Sequence, residues 1–250
     1  MNSKKIKLVI SLVLVVIYIF SALLIETHAD PVGASATNTS TSSSVPSSDN
    51  RSDEGGSITT LQVSVTQQNF AWKAYVGNMT GSLTLDDANG RTIYDWTISQ
   101  SSLAGQMFAS RISSISWANL ACANVTNIQA EETVLTMGAT DGDNINHTFS
   151  YTEHPTYVIA GQTIYNSTCR SLFTYVNSTA QQDNETSVFS EIVLQNTNGQ
   201  LIFVTDLESD EFGYSANGAI NRTFDFQLIV PDNDEANNQT TYFFYAEIDA

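Results

Sequence analysis

After residue 56 the apolar stretches never run long: ITTLQVSV, FAWKAYVG, GSLTL, TIYDWTI, TYVIAG, SLFTYV, SEIVL, QLIFVTDL, TFDFQLIVP and TTYFFYAEI are each five to nine residues, rich in β-branched and aromatic types and separated by turn formers. Such spacing predicts short antiparallel strands stacked as a sandwich or barrel. Two hairpins stand out, LTLDDANGRTIYDW and IVLQNTNGQLIFVT, each with Asn-Gly between apolar runs, a pair that supplies the positive φ of tight turns. They align without a gap at an offset of 109, placing Leu83 on Ile192, Leu85 on Leu194, Asn89-Gly90 on Asn198-Gly199, Ile93 on Ile202 and Tyr94 on Phe203. Either the chain is internally duplicated or one favoured hairpin is used twice, and the unmatched flanks favour the second. Alternation in FAWKAYV predicts Phe70, Trp72, Ala74 and Val76 on the buried face of a strand, with Lys73 and Tyr75 outward. TTYFFYAEI is apolar on both faces and predicts a central strand. A helix is expected only over residues 127–137, capped by Asn127, with Ile128, Thr133, Val134 and Met137 as its stripe. The expected fold for residues 57–250 is all-β: an antiparallel β-sandwich, Ig-like or jelly-roll-like, with at most one short helix, in one domain or two packed β subdomains.

The residues before it read differently. Lys4, Lys5 and Lys7 precede an uncharged run from Leu8 to Ile25 that is 18 residues long. That exceeds the roughly 7–15 residues of a cleavable signal core and reaches the lower end of a membrane-spanning helix. Thr27-His28-Ala29 offers small residues for a cut after Ala29, so residues 1–29 are expected to be a signal peptide or a signal anchor. Either outcome leaves the lysines inside and delivers the rest outside. Residues 30–56, dominated by Ser, Thr, Gly, Asn and Asp, predict a flexible linker spanning roughly 30 Å.

Two cysteines in an exported chain predict a Cys122–Cys169 disulfide, since no C-x-x-C spacing or neighbouring His suggests a reactive thiol. Ten of the 21 asparagines head an N-x-S/T acceptor: Asn38 and Asn50 in the linker, and Asn78, Asn124, Asn146, Asn166, Asn177, Asn184, Asn221 and Asn238 beyond it.

Formal net charge is −17, and from residue 57 on Lys73, Arg91, Arg111, Arg170 and Arg222 are the only cations. A surface so acidic repels phosphate backbones, which argues against nucleic acid as a partner. Hydrolytic chemistry would depend on His147, inside a sequon, or His154, before Pro155, and neither sits in a recognisable catalytic frame. No enzyme activity or bound cofactor is expected. The densest acidic run places Asp206, Glu208 and Asp210, followed by Glu211, at a strand end, a set of oxygens suited to calcium. Asp141 and Asp143 form a sparser one. For sugar stacking the aromatic candidates are Trp72, Trp96, Trp117 and Tyr75. Trp72 and Trp96 share faces with apolar residues and read as core, leaving Tyr75, beside Lys73, as the surface aromatic.

WKAYVGNMTG, LTLDDANGRTIYDW, SWANLACAN, FDFQLIVP and YFFYAEI together resemble a family of predicted exported proteins from archaeal genomes, over most of residues 70–250. The resemblance implies an archaeal cell-surface setting and carries no functional residue. The expected role is that of an exported, membrane-tethered and N-glycosylated surface domain with a structural or interaction function. A carbohydrate-binding module is the alternative and a surface hydrolase a more distant one. Other surface proteins or glycans are the expected partners, with the membrane added if the N-terminal helix is retained.

Overall fold

The computed structural model describes residues 29–43, 52, 54–56, 58–98, 104–209, 211–214, 223–235 and 238–249. The Leu8–Ile25 run, Asn50, Asp210 and Asn221 lie outside them. No described helix is long and apolar enough to cross a membrane. In chain order the elements are β1 (Val32–Gly33), β2 (Trp72–Gly77), β3 (Ser82–Asp86), β4 (Thr92–Thr97), β5 (Ala104–Ser110), β6 (Ala121–Cys122), α1 (Val125–Val134), α2 (Ile145–Thr148), β7 (Tyr157–Ile159), β8 (Gln162–Ile164), β9 (Ser171–Phe173), β10 (Ser190–Gln195), β11 (Leu201–Asp206), β12 (Glu211–Phe212), β13 (Thr223–Phe224), β14 (Phe226–Pro231) and β15 (Phe243–Asp249).

The described strands pair antiparallel throughout. A seven-stranded sheet runs β1-β15-β5-β11-β10-β6, with β9 also on β10. Its centre is the β10–β11 hairpin, whose SEIVL and LIFVT residues are all buried. Both of its faces are covered, which is why the two strands read as continuous apolar runs. On one face Ala109, Val193 and Phe203 pack under Leu228 and Val230 of the β2–β14 ribbon and under Ile128, Leu135, Ile145 and Phe149 from the helical segment. On the other, Phe108, Ile192, Ile202 and Val204 meet Trp117, Tyr157 and Ile159. The result is a mostly antiparallel β structure, sandwich-like in its layering, with two helices among the described residues where at most one was expected.

Several local expectations shift. The longer helix begins earlier than the stripe suggested, because Asn124 caps it: its side chain accepts from the Asn127 backbone N–H. Its buried positions are Ile128 and Glu132, whereas Val134 is exposed. Glu132 is tolerated inside because its carboxylate accepts the Asn146 N–H at 2.7 Å. Capping by a side-chain oxygen contributes about 1 kcal/mol, so Asn124→Ala is expected to lower stability by about that amount in urea unfolding. An unchanged midpoint would show that the cap is redundant.

In β2 burial does not divide by face as expected: Trp72 and Val76 are half-buried, and so are Lys73 and Tyr75 of the opposite face. Lys73 and Tyr75 point inward, Lys73 to Asp232 at 3.1 Å with its ammonium over the Tyr242 ring, and Tyr75 edge-on to Phe244, while Ala74 and Phe70 are exposed. The lysine stem covers apolar surface once a carboxylate neutralises its head. β15 lies one strand in from the edge, between β1 and β5. The inner place goes to β5, AGQMFAS, which the run pattern passes over because its small and polar residues carry little β propensity. Gly105 there has φ 131°, and a Cβ would lie 2.1 Å from the Glu247 carbonyl oxygen, so only glycine fits.

The linker is not wholly free either. Val32 and Gly33 pair with Ala246 and Tyr245, and the Ala34 N–H reaches the Phe244 carbonyl at 2.9 Å. ITTLQVSV, expected as a strand, belongs to none, and every residue from 58 to 70 is exposed.

Candidate functional site

The disulfide is formed, with the Cys122 and Cys169 Cα atoms 4.9 Å apart. β9 and β6 lie end to end along the same edge of β10: Ile192 faces Ser171 and Leu194 faces Cys122. Between them Val193 donates to the Arg170 carbonyl and accepts from the Ala123 N–H. The bridge therefore splices two short strands into one continuous edge. His154 completes the clasp. Its Nε2 accepts the N–H groups of Thr168 and Cys169 at 3.0 and 2.8 Å, so Nδ1 carries the proton and donates to the Pro155 carbonyl at 2.7 Å. Burial holds its pKa below the usual histidine value. With both ring nitrogens committed to backbone, His154 is not placed as a general base. His147 is exposed in α2, its Nδ1 2.8 Å from the Asp141 carbonyl.

The acidic run divides. Asp206, at the end of β11, turns toward Tyr157 and Ser190; burial and the nearby Glu208 carboxylate push its pKa up to about 7 despite the hydrogen bonds from those hydroxyls. Burial and Glu211 raise Glu208 as well. Among the described residues no group of three His, Cys, Asp or Glu is arranged to hold a metal ion. On the sheet's other face Glu191 is fully buried, accepting the Ile229 N–H at 2.9 Å with one oxygen and leaving the other unpartnered. That carboxyl is pushed well above the ordinary range by burial. Cavities of about 160 and 310 Å³ are lined by other residues.

Among the aromatics, Trp117 is buried and Trp72 half-buried, donating from Nε1 to the Asp143 carbonyl at 2.6 Å. Tyr75, expected at the surface, is half-buried against Phe244. Trp96, expected in the core, is 51% exposed. It stands on the β3–β4 hairpin, a two-stranded sheet of its own. Leu83 lies opposite Trp96 and Leu85 opposite Tyr94, so these four side chains share one face. Tyr94 is 60% exposed and sits T-shaped to Trp96, ring centroids 4.9 Å apart.

The offset alignment extends further than the Asn-Gly pair. Asp87 and Asn196 occupy the same turn position, each side-chain oxygen accepting the N–H groups two and four residues on, Asn89 and Arg91 in one, Asn198 and Gln200 in the other. Gly90 and Gly199 alone take positive φ, 72° and 75°, which makes each a three-residue loop rather than the tight two-residue turn that Asn-Gly suggested. The matched Asx residue was the signal available in the sequence. One turn thus serves two hairpins, one whose strands are buried and one standing out in solvent.

Of the acceptor asparagines, Asn38, Asn78, Asn124, Asn166, Asn177, Asn184 and Asn238 are exposed, whereas Asn146 is half-buried in α2 with its amide oxygen enclosed. Asn124 can cap its helix and carry a glycan together, because the cap uses Oδ1 and the glycan attaches at Nδ2. No protein-family model matches the chain, and no curated protein or solved structure shows significant similarity to it.

Proposed function

We propose that this chain is an exported, N-glycosylated cell-surface domain of archaeal type, held at the membrane by its leader or released from it, with a structural or interaction role in the envelope. The observation that carries this reading is a disulfide, buried at Cys169 and half-buried at Cys122, that splices a sheet edge in a chain presenting seven glycan acceptors to solvent. Disulfides persist in oxidising compartments, and a glycosylated asparagine must be accessible. The Ig-like or jelly-roll-like form of the sandwich belongs to the same proposal. It is supported by β15 returning through a long connection to pair with β5, whose other edge already holds β11. Calcium remains part of it only as a loop fastener near Asp206 and Glu208.

Carbohydrate binding is the weaker alternative. The Tyr75 ring lies against Phe244, and Tyr94 and Trp96, inclined at 63°, do not form a common flat platform for sugar rings. Intact-mass and glycopeptide analysis of protein purified from its native host tests the proposal. Expected are a membrane or extracellular fraction, two hydrogens fewer than the reduced mass, and glycan on several of the seven exposed asparagines. A cytosolic, reduced, sugar-free chain would sink it.

A further inference from the structure

We propose that residues 61–65 of one copy add as a strand to the outer edge of β3 in a second copy, so that the chain assembles head to tail. The inference deepens the structural role proposed above, and it rests on that reading for the place where copies meet.

The acceptor is unfinished by comparison with its own twin. In the β10–β11 hairpin, Ile192, Leu194 and Ile202 are completely buried and Phe203 is 1% exposed; of their counterparts, Leu83 is half-buried and Leu85, Ile93 and Tyr94 are 55%, 80% and 60% exposed. The difference is neighbours: β10 has β6 and β9 on its outer edge and β11 has β5, whereas β3 and β4 pair only with each other among the described residues. A two-stranded ribbon with an apolar face is marginal in water until another strand or layer covers it. The extra residue at Ile93 bulges β4, leaving β3 the regular edge, and Ser82–Asp86 carries neither Lys nor Pro to block pairing.

The donor is on the same chain. Leu61, Val63 and Val65 alternate with Gln62 and Ser64, all exposed and in no strand, a five-residue match to β3 that would set its apolar row beside Leu83 and Leu85. Residues 55–72 contain no charged side chain. In a molecule of net charge −17 such a stretch can approach an acidic hairpin, with Asp86, Asp87 and Asp95, without repulsion. Because donor and acceptor are different surfaces, each copy can give one strand and receive one, and the contact propagates.

The test uses the full chain, analysed by sedimentation over a concentration series. Concentration-dependent oligomers are expected. Val63→Asp should raise the midpoint concentration about tenfold or more by putting a charge on the apolar row, while Gln62→Asp, on the opposite face, should raise it far less. Mixing a Ser64→Cys chain with a Thr84→Cys chain should give a covalent dimer under mild oxidation. A chain monomeric throughout, equal effects of the two Asp variants, or a crosslink found only within a single Ser64→Cys/Thr84→Cys chain would overturn the proposal. So would a monomer retained on polysaccharide through Trp96. A glycosylated exported chain that stays monomeric rejects assembly alone, and an unglycosylated cytosolic chain that assembles rejects only the surface reading.

Discussion

Replacing both Cys122→Ala and Cys169→Ala is expected to cost about 4 kcal/mol of unfolding free energy, a fall in Tm of roughly 8–16 °C for a domain of this size. The bridge closes a sequence separation of 47 residues, so most of the loss comes from freeing that loop in the unfolded chain. A second part comes from the folded state. Without the bond, β6 and β9 are held to β10 by short ladders, by Val193 between them and by side-chain contacts such as the Asn124 N–H to Gln195. The edge should therefore open before the rest, with the amide protons of Ala123 and Val193 exchanging faster than those of β11. A loss below about 1 kcal/mol in denaturant titration would mean that the His154 hydrogen bonds fix this corner without the bridge.

The second large effect is on pH. Asp206 has a folded pKa of about 7 against an ordinary 3.8. A carboxyl raised in this way leaves stability intact below about pH 4, where folded and unfolded chains both hold the proton. Between about 4 and 7 the unfolded chain has released it and the folded chain has not, so stability falls as pH rises, by about 4 kcal/mol in all. Glu191 and Glu208, also raised, act in the same direction. His154, lowered by burial, acts against them below about pH 6.5. Below about pH 4 the lowered carboxyls of Asp87, Glu185 and Asp232 begin to lose their contribution. Stability is thus expected to be greatest in mild acid. Asp206→Asn should flatten the curve between about pH 4.5 and 8, gaining on the parent chain most at the alkaline end. Urea titrations across that range would decide it; parallel curves for the two proteins would rule out a protonated Asp206.

What the sequence disclosed and what it hid divide along physical lines. The β10 and β11 strands announced themselves because a strand covered on both faces must be apolar at nearly every position. The cysteine pairing followed from composition and compartment. β5 stayed hidden, because its Ala, Gly, Gln and Ser residues carry little β propensity, and Gly105 is required only where the Glu247 backbone crowds in. The inward turn of Lys73 in β2 was equally out of reach, since it depends on Asp232, which is distant along the chain. Trp96 and Tyr75 exchanged their expected places for a related reason. Alternation tells which side chains lie together and is silent on which side meets the rest of the protein.

The pairing of Val32 and Gly33 with β15 bears on how the leader could be removed. Processing enzymes work on slack polypeptide, and a bond after Ala29 would lie only three residues from backbone already hydrogen-bonded into the sheet. On the exported reading proposed above, a cut made before folding would meet slack polypeptide, whereas one made afterwards would have to work beside a segment already tied to β15.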